Sequence, residues 1–265
     1  MEVTGYFLAA LVGISLGLIG GGGSILMVPI LVYIFAITPV LATSYSLFVV
    51  GSTSLVGAFN NYRKGLVSIR TALLFGLTSI TTVFVTRKLL MPVIPKVLFS
   101  IGHFQVKQSM AIMVLFAILM LMASAAMIRK NEVIKNADTK ASSGDTLRLL
   151  VYGVLIGFAT GLLGAGGGFL IIPALVLIMK MPMKKAVGTS LLIIALNSLI
   201  GFTGDLGHFD IDWKFLSIIS AIAITGIFIG GALSKKIDGA QLKKGFGWFI
   251  LIMGIYIIIK ELFIK

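Results

Sequence analysis

Residues 17–29 read GLIGGGGSILMVP, and residues 161–173 read GLLGAGGGFLIIP. Glycine in a helix interior costs about 1 kcal/mol relative to alanine. Four in a row, Gly20 to Gly23, should end a helix wherever they fall. Both stretches nonetheless lie inside long uncharged runs. Nothing charged separates Glu2 from Arg63, and residues 149–179 carry no charge either. As one helix, 149–179 would be about 46 Å long at about 1.5 Å per residue. The hydrocarbon of a bilayer is only about 30 Å thick. A break at each glycine cluster is the simplest reading of both segments.

The rest of the chain is equally apolar. Of 265 residues, 58% are hydrophobic and 12% charged, against about 25% charged in a soluble domain. Further uncharged runs cover 71–86, 108–128, 186–204, 215–234 and 245–259. Their lengths suit membrane-crossing helices, and no train of short alternating strands suggests a barrel. The net charge of +13 sits in short loops between apolar runs, where basic residues set orientation; nucleic acid is not an expected partner. There is no cysteine and only His103 and His208, which excludes disulfides and thiol chemistry and makes a metal enzyme unexpected. No cofactor is expected. The N-terminal MEVTGYF lacks a basic n-region, so the first apolar segment is expected to stay in the mature protein.

An offset of 144 aligns 17–57 with 161–201 without a gap, giving 16 identities in 41 positions. The informative pairs are Gly20 with Gly164, Gly22 with Gly166, Gly23 with Gly167, Pro29 with Pro173, Ser46 with Ser190, Ser54 with Ser198 and Gly57 with Gly201. An internal duplication follows. The polar stretch 129–148, RKNEVIKNADTKASSGDTLR, reads as a connector between a first repeat, 1–128, and a second, 149–265. Expected elements are 4–35, 41–60, 67–90 and 108–128, then 149–179, 185–204, 214–234 and 244–263. Residues 91–107, with two prolines, read as interfacial.

Charge arithmetic selects a topology. If all four elements of each half cross, Lys and Arg divide 11 to 11 between the two faces. If each glycine-broken element dips in and returns, each half crosses three times and the halves are inverted. One face then holds 15 basic residues against 7, as the positive-inside tendency requires. The expected fold is therefore an all-α polytopic membrane protein of two inverted repeats. Each has a glycine-broken or re-entrant first helix plus three spanning helices.

Paired, glycine-interrupted segments mark the binding site of a secondary transporter. A broken helix leaves backbone N–H groups that protein, water or ligand must satisfy. Half-helices starting near Ser24 and Gly168 would point two positive dipole ends at a gap in mid-bilayer, a ready anion site. The candidate backbone is Gly20, Gly21, Gly22, Gly23 and Ser24 in one half and Gly164, Gly166, Gly167 and Gly168 in the other. The competing reading is that the glycines only allow close helix packing. Ser46, Thr53 and Ser54, with Ser190, Asn197 and Ser198, add donors on a shared face at spacings of seven and eight. They would serve equally as helix–helix hydrogen bonds. No charged residue is expected deep in a span. Asp205, near His208, Asp210 and Asp212, is the nearest candidate for proton coupling, or it caps a helix at the surface. Arg63 and Lys64 are orientation anchors or attract anions to an entrance. GLIGGGGS has no following lysine, so it is not a phosphate loop.

GLIGGGGSILMVPIL with ATSYSLFVVGSTSLVGAFNNYRKG, then GLLGAGGGFLIIPALV with AVGTSLLIIALNSLIGFTGDLGHFDIDW, resemble the two modules of the TauE/SafE family of membrane anion exporters. The resemblance covers nearly the whole chain except the connector and 91–107. It implies a duplicated helical module in a bacterial or archaeal cytoplasmic membrane, with a small inorganic or organosulfur anion as partner. The implied function is secondary transport of a sulfur oxyanion, sulfite or a related organosulfonate, outward. A passive anion channel, an uptake permease for thiosulfate- or sulfate-like anions, and a membrane enzyme or scaffold are the alternatives. No catalytic pair within the membrane favours the enzyme. Oligomeric state, a homo-oligomer included, is left open.

Overall fold

A computed structural model describes residues 2–101, 104–128, 143–177, 179–234 and 239–264. Helix α1 (Glu2–Ile19) stops at Gly20, and a 3-10 segment (Gly21–Leu26) leads into α2 (Met27–Tyr33). Pro39 at the first turn starts α3 (Pro39–Arg63), as a residue with fixed φ and no N–H suits that position. Helix α4 (Ile69–Val85) continues through a π-helical stretch (Thr86–Leu90) into α5 (Met91–Val93). A hairpin of β1 (Val97–Ile101) and β2 (Phe104–Lys107) follows, then α6 (Gln108–Ile128). The second half comprises α7 (Ser143–Leu163), α8 (Gly168–Leu177), α9 (Met183–Asp205), α10 (Trp213–Leu233) and α11 (Gly239–Ile259). Asp212 caps α10 by accepting a hydrogen bond from the Phe215 amide.

Five helical stretches are long and apolar enough to cross a membrane: Pro39–Arg63, Ile69–Val93, Gln108–Ala125, Met183–Asp205 and Trp213–Leu233. Phe7, Leu77, Leu155, Phe228 and Ile252 lie exposed on the outer faces, which water would not tolerate in such number but lipid does. The protein is a mostly helical, multi-pass membrane protein. This agrees with the expected all-α polytopic class, and the short hairpin β1–β2 lies within the segment read as interfacial. Much of the connector, like His103, falls outside the described residues. Its last six residues, 143–148, belong to α7, which starts earlier than the charge boundary at 149 suggests.

The core is built around α3 packed on α9. Helix α1 lies along α10 and α7 along α4, while α4 also meets α9 and α10 meets α3; α6 pairs with α11. Small residues let the backbones close up, as membrane helix packing requires: Gly13 sits against Ala223, and Gly157 against Ser79. Positions 144 apart thus make matching contacts. A methyl group on Gly57 would meet Ile227 and Leu191, and one on Gly201 would meet Val83 and Leu47.

Candidate functional site

Both glycine clusters break their helices. Gly20 has φ of 81°, and Gly164, Gly166 and Gly167 have φ of 67°, 66° and 66°. Only glycine enters that left-handed region without steric cost. The chains that restart after the breaks meet: a side chain on Gly21 would run into the backbone of Gly168, and one on Gly168 into that of Gly21. The restart after the first break is at Gly21, earlier than the sequence suggested, and as 3-10 rather than α-helix. The described residues of both breaks are buried.

The candidate hydroxyls fall into two groups. Ser24 donates to the Gly21 carbonyl at 2.8 Å and Ser190 to the Val187 carbonyl at 2.8 Å, so each closes a local turn. Ser46, Thr53, Ser54 and Ser198 are fully buried, and their hydroxyls find no hydrogen-bond partner among the described residues. Asn197 accepts from Ser79 at 2.9 Å while its amide nitrogen is unpartnered. An unpaired buried polar group costs about 1–3 kcal/mol, so four such hydroxyls and an amide on the facing helices α3 and α9 call for a ligand or water. Ser198 reaches the break directly, its Oγ lying 3.1 Å from where a Gly166 side chain would begin. Two groups that the sequence reading passed over belong here. Thr160 lies against Gly167 and Ser15 against Gly23, both unpartnered. Their signal was position, about one to two turns before each break on the incoming helix.

One expectation is overturned: a charge does lie inside a span. Arg87 is 1% exposed, about 9 Å from the end of the Ile69–Val93 stretch at about 1.5 Å per residue. Reading Arg87 as the end of an apolar run hid it, because VFVT before it and, past Lys88, LLMPV after it form one helical stretch. It sits in the π-helical turn, a distortion common at functional sites. Its Nη1 donates to Asp205 Oδ2 at 3.1 Å and to Thr43 Oγ1 at 3.1 Å. Asp205 is therefore buried, at 2% exposure, and is not a surface cap; the capping acid is Asp212. Ser44 and His208 are its other polar neighbours. The backbone of Thr43 abuts Gly164, so this ion pair is one residue removed from the second break.

A small cavity of about 30 Å³ opens elsewhere, between Gly17, Gly57, Asn60, Asn61, Lys64 and Leu191, with Ile227, Gly231 and Ser234 completing its wall. Arg63 and Lys64 are exposed beside it. No group of His, Asp and Glu able to hold a metal occurs among the described residues.

The family model described as "Sulfite exporter TauE/SafE" matches residues 6–257. A "Probable membrane transporter protein" of Xylella fastidiosa (strain 9a5c) is 31% identical over 255 residues, covering 94% of this chain and 91% of that one. "Probable membrane transporter protein YunE" of Bacillus subtilis (strain 168) is 26% identical, covering 93% of each. A "Probable membrane transporter protein MJ0441" of Methanocaldococcus jannaschii is 37% identical over 114 residues, 41% of this chain and 43% of that protein. No solved structure matches the chain. With the family model spanning nearly its whole length, the chain belongs to the TauE/SafE family and is a membrane transporter rather than an enzyme.

Proposed function

We propose that this transporter moves a small sulfur oxyanion, sulfite or a related organosulfonate, outward across a cytoplasmic membrane by alternating access. The observation that carries the reading is the meeting of the two glycine breaks at Gly21 and Gly168, beside unpartnered polar groups on α3 and α9. The hydroxyls of Ser46, Thr53, Ser54 and Ser198 and the Asn197 amide are donors without an acceptor among the described residues. An oxyanion supplies acceptors on several sides, and the dipole ends favour its charge.

The matching contacts of positions 144 apart support two inverted repeats, 1–128 and 149–265 joined by 129–148. Inversion puts Arg63, Lys64, Lys180, Lys184 and Lys185 on the cytoplasmic face with the connector. The cavity by Lys64 is then a cytoplasmic vestibule, while the Arg87–Asp205 pair stands on the outer side. No ATP-binding sequence is present, so the membrane potential or a proton gradient drives transport.

The test is uptake by purified protein in proteoliposomes with sulfite, thiosulfate, sulfoacetate, sulfate and chloride. Saturable movement of sulfite or sulfoacetate ahead of chloride is expected. Preferred, inwardly driven movement of thiosulfate or sulfate would replace this reading with an uptake permease. Flux far above roughly 10³ per second, beyond typical turnover, would replace it with a channel.

A further inference from the structure

The ion pair and the vestibule occupy equivalent places. The offset of 144 carries Gly17 to Gly161, Gly57 to Gly201, Asn60 to Gly204, Asn61 to Asp205, Lys64 to His208 and Gly231 to Arg87. The contacts obey it: a side chain on Gly204 would touch Arg87, and one on Gly231 would approach Asn60. Where one mouth has open space between Asn61 and Gly231, the other has a guanidinium bound to a carboxylate.

Only one corner of that guanidinium is used. Nη1 serves both Asp205 and Thr43. Nε and Nη2, which form the side-on edge of the fork, are fully buried and have no hydrogen-bond partner among the described residues. That edge presents two parallel N–H donors at the spacing of two oxygens on one carboxylate or sulfur oxyanion. A buried cation with a single carboxylate on its corner and a bare fork is poorly satisfied as a structural pair.

We propose that the Nε–Nη2 edge of Arg87 is a second oxyanion seat, at the mouth opposite the vestibule, and that Asp205 is the internal anion that holds this mouth shut. The inference rests on the transport reading. Thr43 links the seat to the Gly164 break. An oxyanion leaving the central site takes the fork with two oxygens and displaces Asp205 from Nη1; when it departs, the carboxylate returns. A monatomic halide must share one atom between both donors at bent angles, whereas two oxygens meet them in line, so the seat favours sulfur oxyanions over chloride. No counterpart exists at the vestibule, where glycine replaces the arginine and asparagine the aspartate, so the latch works at one face alone.

The experiment uses the full chain in lipid nanodiscs and proteoliposomes, with sulfite and chloride as probes. Arg87→Lys keeps the charge and the pairing with Asp205 but lacks the fork; sulfite flux and the sulfite-over-chloride preference should each fall about tenfold or more, the factor that goes with losing one charge-assisted bond. Asp205→Asn removes the competing carboxylate, so sulfite-dependent thermal stabilisation should appear at about tenfold lower sulfite than in the parent. Should either single variant fail to fold, the neutral pair Arg87→Gln with Asp205→Asn takes its place, and sulfite preference should be lost. Parental preference in Arg87→Lys or in the neutral pair overturns the seat, as does absence of sulfite stabilisation in the parent. Unchanged sulfite dependence in Asp205→Asn overturns the latch. A parent chain that moves no oxyanion while sulfite still stabilises it through Arg87 brings down the transport reading and leaves the seat standing.

Discussion

The two halves break their leading helices with nearly the same letters and different backbones. GGGGS uses one left-handed glycine, Gly20, and then coils through a 3-10 turn before α2 begins at Met27. GAGGG uses three left-handed glycines, Gly164, Gly166 and Gly167, and restarts directly as α8 at Gly168. The mouths beside them diverge further, Asn61 and Gly231 facing Asp205 and Arg87 across the duplication. Contacts that close the core, such as Gly57 on Ile227 and Gly201 on Val83, match between the halves, while the breaks and mouths differ in how they are built. The second break is the more constrained, because more of its glycines are left-handed and the Arg87–Asp205 pair abuts it through Thr43.

The largest difference should come from the mouths. Asp205→Ala leaves the Arg87 guanidinium buried without its carboxylate, a loss of about 3–5 kcal/mol in stability. The counterpart Asn61→Ala gives up one hydrogen bond, from Asn61 Nδ2 to the Gly57 carbonyl at 2.9 Å, and should cost about 0.5–1.5 kcal/mol. Denaturant or thermal unfolding in a common detergent measures both. Equal losses would mean that the pair is not buried as described, and the asymmetry of the mouths would go with it.

Next come the glycines. In Gly164→Ala the new methyl enters the left-handed region, costing about 1–2 kcal/mol, and also strikes the Thr43 backbone, adding about 1–3 kcal/mol for overpacking. Gly20→Ala, at φ 81° and ψ −129°, carries at least as large a conformational cost, but its nearest neighbours are the side-chain ends of Val187 and Ile172 at 3.0 and 3.2 Å, which can give way, so the clash with the Thr43 backbone sets the order. Gly166→Ala should likewise be worse than Gly22→Ala, since Gly22 is not left-handed. The order of unfolding midpoints, Gly164 below Gly20 and Gly166 below Gly22, is the measurement. A reversal within either pair would show that the halves are not constrained as their backbones suggest.

Much of this fold is legible without coordinates because charges and prolines punctuate it. Pro39, Pro182 and Asp212 stand at the helix starts that the apolar runs led one to expect. The same habit hid Arg87: a charge was taken to end a run, yet the apolar residues flanking Arg87 and Lys88 continue as one helix through a π-helical turn. The hairpin escaped notice because its strands hold only five and four residues, too few for an alternating pattern to stand out in a chain this apolar. Spacings of seven and eight placed Ser46, Thr53 and Ser54 together. They could not reveal that Ser24 and Ser190 spend their hydroxyls on their own turns, since that depends on side-chain rotation.

The smallest effect on stability separates the site from its scaffold. Ser54 and Ser198 are counterparts, both fully buried and both unpartnered. Removing a hydroxyl that no protein group satisfies relieves a desolvation penalty, so Ser54→Ala and Ser198→Ala should each shift stability by less than about 0.5 kcal/mol, or raise it. If both hydroxyls donate to a bound oxyanion, each substitution deletes one hydrogen bond to a charged group, worth about 1.5–3 kcal/mol. Sulfite flux at low substrate should then fall about tenfold or more in each. A loss confined to Ser198→Ala would place the anion on the Gly166 break alone and make the first half a support. Parental flux in both would remove the hydroxyls from the site and leave only the backbone of the two breaks to hold the anion.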